Sequence, residues 1–247
     1  MKYILFPALI AAVLAVTPST GSVERGTGKV LFLGNSYTAQ SAHFIKEIFK
    51  REAPGFQLSF LTPGGVDVKH HLENQKSQKL LASGKWDFVV LQEQSQKAGL
   101  GGQYSTDFHK AVAGFIPVVR KQGGKVCLFM TWGRRDGDKR NPSVYPDFKT
   151  MHKRISSNYL KAAKTNGLLL APVGNAFAHV HTTDPDLFRK LYKKDGSHPD
   201  KPGGFLAACV FFKELTGRSP ENIRWNGGFD PVTAAKLRKA AVQAFEK

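Results

Sequence analysis

The sequence predicts an α/β fold, a flavodoxin-like three-layer α/β/α sandwich with a five-stranded parallel sheet. Short, continuously apolar runs alternate along the chain with longer stretches whose apolar residues recur every three to four positions. The apolar runs are typical of strands buried on both faces of a parallel sheet. Their alternation with helices indicates a sheet that helices cover on both sides. No Gly-x-Gly-x-x-Gly follows the first run, so a dinucleotide-binding fold is not supported.

Five segments have the strand pattern. The first, residues 29–33, is apolar after its opening lysine and ends at Gly34-Asn35, where the backbone must turn sharply. The other four predicted strands cover residues 56–62, 86–91, 125–131 and 168–173.

The helical segments are predicted from apolar periodicity and from their start and stop signals. The first begins at Ser36, and Ala53-Pro54-Gly55 ends it. Residues 66–82 are polar and weakly helical, and residues 99–102 are predicted to be a loop. The remaining helices cover residues 105–122 with a kink at Pro117, 145–166, 184–192, the apolar segment 201–216, and the stretch from Asp230 onward.

Residues 1–22 are predicted to be a secretory signal peptide outside the fold. Lys2 gives a positive start, residues 4–16 are apolar apart from Pro7, and small polar residues follow. This apolar run is shorter than the ~20 residues that span a bilayer. The protein is therefore expected to be secreted or periplasmic without stable membrane insertion, with one domain over residues 27–247. An uncleaved membrane anchor is the alternative.

The chain is strongly basic, with 36 Lys and Arg against 19 Asp and Glu and a formal charge of +17. Such a charge suits anionic partners, for example acidic polysaccharides. The lysines are scattered and no usual nucleic-acid motif occurs, so nucleic acid is not expected as a partner. Cys127 and Cys209 lie in apolar segments and are predicted to be buried free thiols.

Ser36 follows the first predicted strand and opens the first predicted helix. In open α/β sheets, ligands bind outside the carboxyl ends of the strands, and the N–H groups at a helix start favour negative charge. A serine in this position is either a helix cap or a nucleophile. Taken alone, the position favours the cap, because capping serines are far commoner than catalytic ones.

The second informative segment is Asp195-Gly196-Ser197-His198-Pro199. An aspartate three residues before a histidine, in a turn made by glycine and proline, can place a carboxylate beside an imidazole N–H. That contact would fix the tautomer and leave the other ring nitrogen as a base. An Asx-type turn with an exposed histidine is the alternative.

Together the two segments resemble the SGNH (GDSL-like) hydrolase superfamily, in order and over most of the mature chain. Residues 34–36 (Gly-Asn-Ser) resemble its first block, Gly65 the glycine of the second, and Asp195-x-x-His198 the last. The chain is most similar to an uncharacterised secreted branch with Leu-Gln-x-x-Ser after the third strand. The resemblance implies that Ser36 is the nucleophile, His198 the base and Asp195 the residue that orients it.

The third block departs from the superfamily, where Gly-x-Asn-Asp supplies an asparagine that donates to the oxyanion. Here residues 91–95 are Leu-Gln-Glu-Gln-Ser. A glutamine amide has the same N–H donor. The resemblance thus implies an oxyanion hole formed by the N–H groups of Ser36 and Gly65 with the side chain of Gln92 or Gln94. The sequence leaves open which glutamine donates.

Three further residues are predicted to border the substrate: Asn35, His71 and Trp132. Trp132 opens a charged loop after the fourth strand, on the same edge as Ser36, where its ring could stack on a sugar; a structural tryptophan is the alternative. The histidine pairs 70/71 and 179/181 could indicate a metal. No carboxylate or cysteine accompanies them at ligand spacing, so no metal and no cofactor are expected.

The sequence therefore predicts a serine ester hydrolase with a Ser-His-Asp triad. The first hypothesis is a carbohydrate acetylesterase whose substrate is a small-molecule or polysaccharide ester, including an anionic one. The second is a lipid or thioester acyl hydrolase of the same fold. The third is a non-catalytic glycan-binding module, which the altered third block favours and the presence of Ser36, Asp195 and His198 disfavours. The oligomeric state is left open.

Overall fold

The structure is a computed structural model that describes residues 25–246. The predicted signal peptide at residues 1–22, and the last residue of the predicted domain, lie outside the described residues. Within residues 25–246, no helix is both long and apolar enough to cross a bilayer.

The centre of the fold is a five-stranded parallel sheet. Its strands are β1 (Thr27–Leu33), β2 (Gly55–Leu61), β3 (Phe88–Leu91), β4 (Lys125–Phe129) and β5 (Leu169–Ala171). Their order across the sheet is β2-β1-β3-β4-β5, which confirms the predicted flavodoxin-like arrangement. The strand order reverses between β1 and β3, and such a switch opens a crevice at the carboxyl ends of the strands.

Helices cover both faces of the sheet and complete the predicted three layers. They are α1 (Ser36–Glu52), α2 (Val68–Glu73), α3 (Gln75–Ser83), α4 (Lys97–Leu100), α5 (Gly102–Lys121), α6 (Phe148–Asn166), α7 (Val173–Thr183), α8 (Pro185–Lys190), α9 (Lys201–Thr216) and α10 (Pro231–Gln243). One core cluster joins the sheet to α1, α7, α8, α9 and α10. A second cluster joins its other face to α2, α3, α4, α5 and α6.

The first strand shows how the apolar pattern follows from these layers. Val30 and Phe32 face the α1 and α9 side, whereas Leu31 and Leu33 face the α5 and α6 side, because successive side chains of a strand point to opposite faces. All four side chains are buried. A strand covered on both faces has no polar face, which explains the continuous apolar run.

The apolar segment in α9 is buried as predicted, from Phe205 through Phe212. It packs against α1 and α10 and carries Cys209. Cys127 lies in β4, and both cysteines are free and buried, which confirms that prediction. Burial raises the pKa of each thiol, so neither is a reactive thiolate.

Local signals explain where the elements differ from the prediction. The strand expected over residues 168–173 stops at Ala171, because Pro172 has no N–H for the ladder and its fixed φ suits the start of α7. The weakly helical stretch is split at Asn74, whose side chain accepts from Lys76 N and Ser77 N and caps α3. The predicted loop at residues 99–102 instead holds the end of α4 and the start of α5.

Candidate active site

The chain passes from β1 into α1 through a turn that only glycine fits. A Cβ on Gly34 would lie 2.2 Å from Thr38 Oγ1 and 2.9 Å from Gln92 Oε1. Gln92 follows β3, and its Oε1 accepts from Asn35 N (3.0 Å) and Thr38 Oγ1 (2.8 Å). These bonds tie the start of α1 to the end of β3, so the two strand ends that flank the crevice have a fixed relative position.

Asn35, and not Ser36, is the cap of α1. Its Oδ1 accepts from Tyr37 N (3.1 Å), and its Nδ2 donates to Val66 O (2.8 Å). Ser36 is therefore the first residue of the helix, and its hydroxyl is free to take another partner. Ser36 is thus not the cap of α1, and its role as a nucleophile stays a prediction.

The hydroxyl of Ser36 contacts the imidazole of His198, which in turn contacts Asp195. Ser36 Oγ lies 2.9 Å from His198 Nε2, and His198 Nδ1 lies 2.6 Å from Asp195 Oδ2. Since a carboxylate accepts, Nδ1 carries the proton and Nε2 is the acceptor for the serine hydroxyl. This is the mutual geometry that a nucleophile, a base and an orienting carboxylate require.

Asp195 also shapes the turn that carries His198. Its Oδ1 accepts from Ser197 N (2.9 Å) and His198 N (3.0 Å), so the Asx-type turn and the imidazole contact are made by the same carboxylate. Partial burial opposes ionisation, but the hydrogen bonds from the His198 ring and from the two backbone N–H groups outweigh it and lower the pKa of Asp195. The carboxylate is therefore ionised in the neutral pH range.

A buried clasp holds this turn against α1. Tyr37 Oη lies 2.7 Å from Ser197 Oγ, and Trp132 Nε1 donates to Ser197 O (3.1 Å). The Tyr37 ring stacks on the Trp132 ring at 4.7 Å and meets the His198 ring edge-on at 5.3 Å. Because Tyr37 directly follows Ser36, the clasp links the serine to the histidine turn through packed aromatic side chains.

The two glutamines after β3 have different surroundings. Gln92 is fully buried, its Oε1 accepts two bonds, and one of the two N–H groups of its Nε2 donates to Glu93 O (2.6 Å). Gln94 is partly exposed. Its Oε1 accepts from Gln96 N (2.8 Å), whereas its Nε2 has only a 3.4 Å contact to Gln96 Oε1, which is long for a hydrogen bond. Of the two predicted donors, Gln94 has the more accessible side chain and the amide nitrogen with the weaker contact.

Glu93 lies between the glutamines and joins the segment after β3 to the start of α2. Its Oε1 accepts from Gln94 N (2.7 Å), and its Oε2 accepts from Val68 N (3.3 Å). The side chain is buried, and this burial raises the pKa of Glu93 to about 8. It is a structural carboxyl behind the site, held mostly protonated at neutral pH.

Gly65 occupies an exposed turn between β2 and α2 with φ +72°, a conformation that favours glycine. The next residue, Val66, accepts through its carbonyl from Asn35 Nδ2, which fixes the turn beside the start of α1. The predicted donation from the Gly65 N–H to an oxyanion stays a prediction.

The three residues expected to border the substrate have structural roles instead. Asn35 is buried with both amide atoms bonded within the chain. His71 is fully buried; its Nε2 donates to Gly34 O (2.9 Å) and its Nδ1 accepts from Ser77 Oγ (2.9 Å). Trp132 is fully buried between Tyr37 and Phe177. None presents a free polar group or ring face to a ligand, so the prediction was wrong for all three.

Among residues 25–246, no group of three or more His, Cys, Asp or Glu side chains could hold a metal ion.

Tyr37 and Ser197 were not predicted as site residues. Each directly neighbours a predicted triad residue, and this adjacency was the one signal that could have identified them.

Comparisons with known proteins identify the family and the fold. The family model described as domain of unknown function DUF4886 matches residues 56–244, and no curated protein matches the chain. A DUF4886 family protein from Bacteroides uniformis ATCC 8492 superposes with a TM-score of 0.74 at 22% identity, over 88% of this chain and 94% of that chain.

Two other solved structures are similar. A Slackia heliotrinireducens protein that is proposed to be an SGNH hydrolase matches with a TM-score of 0.65 at 27% identity, over 76% of this chain and 99% of that chain. The acetylxylan esterase Axe2 from Geobacillus stearothermophilus, solved as a catalytic mutant, matches with a TM-score of 0.60 at 17% identity, over 78% and 96%. The fold is thus that of the SGNH hydrolases, as the sequence resemblance predicted.

Proposed function

The chain belongs to the DUF4886 family, and we propose that it is a serine ester hydrolase that removes small acyl groups, acetyl above all, from a carbohydrate. The observation that carries the proposal is the hydrogen-bonded path from Ser36 Oγ through His198 to Asp195 at the carboxyl end of β1. The side chains of His198 and Asp195 are 29% and 48% exposed, so an ester has access to the path from solvent.

The contacts support the following sequence of proton transfers. Ser36 Oγ attacks the ester carbonyl while His198 Nε2 accepts its proton, and Asp195 stabilises the imidazolium that forms. His198 then donates this proton to the leaving alcohol, and the acyl group remains on Ser36 as an ester. A water molecule attacks this acyl-enzyme by the same route, releasing the acid and restoring the serine hydroxyl.

The charge that develops on the carbonyl oxygen needs N–H donors. The backbone N–H groups of Ser36, at the positive end of α1, and of Gly65 are two candidates. The side chain of Gln94 is the third, because its Nε2 is the less engaged of the two amides after β3. One donor of this kind contributes ~3–4 kcal/mol to transition-state stabilisation.

Two considerations support a short acyl group on a carbohydrate. Acetylxylan esterases share the fold, and the superfamily that the sequence resembles includes some carbohydrate esterases with a glutamine near the third block. A lipid or thioester hydrolase needs a long apolar channel for its acyl chain. The cavity beside residues 195–199, the turn with Asp195 and His198 (the triad turn), is instead lined mostly by charged residues, among them Arg135 and Lys194.

The proposal is tested by measuring the hydrolysis of p-nitrophenyl acetate and p-nitrophenyl palmitate, and the release of acetate from a panel of acetylated polysaccharides. We expect acetate release and a strong preference for the short ester, with loss of both in Ser36→Ala. Ser83→Ala, an exposed serine on α3, is the matched control and should keep full activity. A preference for palmitate favours the lipid hypothesis. Glycan binding without turnover of any ester favours the non-catalytic module.

A further inference from the structure

A charged cavity of about 370 Å³ adjoins the turn that carries Asp195 and His198. One wall is the loop after β4, residues 134–140, and the other is formed by residues 194–196. Asp195 and Gly196 therefore belong both to the triad turn and to the cavity wall. The two walls are joined by a backbone bond, in which Arg135 N donates to Gly196 O (2.8 Å).

The carboxylates of this cavity already have partners. Asp138 is bonded to Arg134 (2.6 Å) and Asp136 to Arg135 (2.7 Å). The third carboxylate of the wall, Asp195, is bonded to His198. Each acidic side chain of the wall is thus bonded to another group, and none forms an ion pair with Lys139, Arg140 or Lys194.

Three cations of the wall remain without an acidic partner. Lys139, Arg140 and Lys194 are exposed and line the cavity, and within residues 25–246 none of them forms an ion pair at 4 Å or less. In addition, Arg134 Nε is buried and has no acceptor among the described residues, and an unsatisfied buried donor is costly unless a ligand or water completes it. The cavity thus offers cationic donors without acceptors.

The loop that carries Arg134, Lys139 and Arg140 is held in place by Asp138, which is 2% exposed. Its carboxylate accepts from Arg140 N (3.2 Å), Asn141 Nδ2 (2.7 Å) and the Gln96 side chain, in addition to Arg134. These bonds around one carboxylate fix the backbone from which the side chains of Lys139 and Arg140 extend. A ligand therefore does not have to order this part of the loop.

We propose that this cavity binds a carboxylate or sulfate group on the alcohol part of the substrate, so that the enzyme prefers anionic carbohydrate esters. The inference rests on the proposed function. His198 delivers its proton to the leaving alcohol, and the cavity lies at the turn that carries His198, so the alcohol is the part of the ester nearest to the cations. Guanidinium and ammonium groups recognise carboxylate and sulfate through charge-assisted hydrogen bonds.

The test compares two acetyl esters that differ in charge, 4-acetoxybenzoate and 4-acetoxybenzamide. The wall variant is Lys139→Gln/Arg140→Gln/Lys194→Gln. The control variant is Lys50→Gln/Lys79→Gln/Lys121→Gln, which removes the same charge from exposed positions on α1, α3 and α5. The measured quantity is kcat/KM for the anionic ester divided by kcat/KM for the neutral one, because the intrinsic reactivities of the leaving groups cancel between variants.

We expect this ratio to fall roughly tenfold in the wall variant, as the loss of three partly screened charge contacts implies, and to stay within twofold of the wild type in the control variant. The ratio of the wild type should also decrease as the salt concentration rises. An unchanged ratio in the wall variant, or an equal loss in both variants, overturns the inference while leaving ester hydrolysis intact.

Binding of 4-hydroxybenzoate and 4-hydroxybenzamide, followed by ligand-observed NMR, separates this inference from the proposed function. If no ester is turned over but the carboxylate still binds selectively and the wall variant loses that selectivity, the hydrolase proposal fails and the anion site stands. If neither the binding nor the rates distinguish the charged compound, the anion site is refuted.

Discussion

At the scale of single residues, the two glutamines after β3 perform different tasks. Gln92 bonds Asn35, Thr38 and its own neighbour's carbonyl, whereas Gln94 keeps an N–H with only a long contact. We therefore expect Gln94→Ala to lower kcat by ~10²–10³ with little change in KM. Gln92→Ala should mainly lower the melting temperature, since it leaves buried groups unpaired.

Steady-state kinetics and thermal melts of the two variants check this division. Each variant is the matched control of the other, because both remove one carboxamide from the same segment. Full kcat in Gln94→Ala would mean that the oxyanion is stabilised by backbone N–H groups alone.

Glu93 gives the stability of the fold a defined pH dependence. Burial raises its pKa from 4.5 to about 8, so between these pH values the folded chain keeps a proton that the unfolded chain has released. Raising the pH through this window should lower the free energy of unfolding by about 1.4 kcal/mol per pH unit on account of Glu93, and the effect should end above pH ~8.

Chemical denaturation of the wild type and of Glu93→Gln from pH 5 to pH 9 gives the free energy of unfolding of each protein as a function of pH. The contribution of Glu93 is the difference between the slopes of these two curves. Glu214, whose pKa burial raises to about 7, is present in both proteins and cancels in the comparison. Equal slopes of the free energy of unfolding against pH in the two proteins, from pH 5 to pH 8, would show that Glu93 is ionised in the folded protein.

At the scale of elements, the contact between α1 and the triad turn depends on the clasp formed by Tyr37, Ser197 and Trp132. Tyr37→Phe keeps the stacked ring but removes the bond to Ser197. We expect a stability loss of ~1–3 kcal/mol and a drop in kcat of roughly tenfold with KM nearly constant, because His198 loses part of the support that orients it.

Tyr145→Phe is the control for this prediction, since it removes another buried hydroxyl, one that bonds Gln96 O (2.5 Å). It should cost similar stability without the drop in kcat. Equal effects of the two variants on kcat would show that the clasp stabilises the fold and does not position His198.

Most helices and strands could be predicted from the sequence, because the spacing of apolar residues and the capping residues are features of the segment itself. Boundaries that differ from the prediction have local causes that the spacing of apolar residues does not show, such as Pro172, which follows the end of β5 and precedes α7. The misassigned site residues have another cause. Trp132 and His71 are polar-tipped side chains that can face either a pocket or the core, and their burial depends on contacts with segments far away in the chain, such as Ser197 and Gly34.

At the scale of the whole molecule, the contact between Ser36 and His198 joins segments 162 residues apart. Sequence order places Ser36 and His198 at the same sheet edge only if the strand order is right, and the strand order was predicted as the structure has it. The distances between the side chains, and the cavity behind Asp195, depend on loop packing and could not be predicted from the sequence.

The formal charge of +17 and the N-terminal segment that resembles a signal peptide are properties of the whole chain. We propose export with removal of the N-terminal segment, for which the positive start and the apolar run are the reason. N-terminal sequencing of the mature protein should give a start between residues 18 and 27. A mature chain that still begins at Met1 would refute the export proposal.

The most direct test of the central claim, that Ser36 is a covalent nucleophile activated by His198, is labelling with a fluorophosphonate followed by peptide mass spectrometry. We expect one adduct per chain, on Ser36, with no adduct on Ser36→Ala and slow labelling of His198→Ala, in which the base is missing. An adduct on another residue, or ester turnover that persists in Ser36→Ala, would contradict the account.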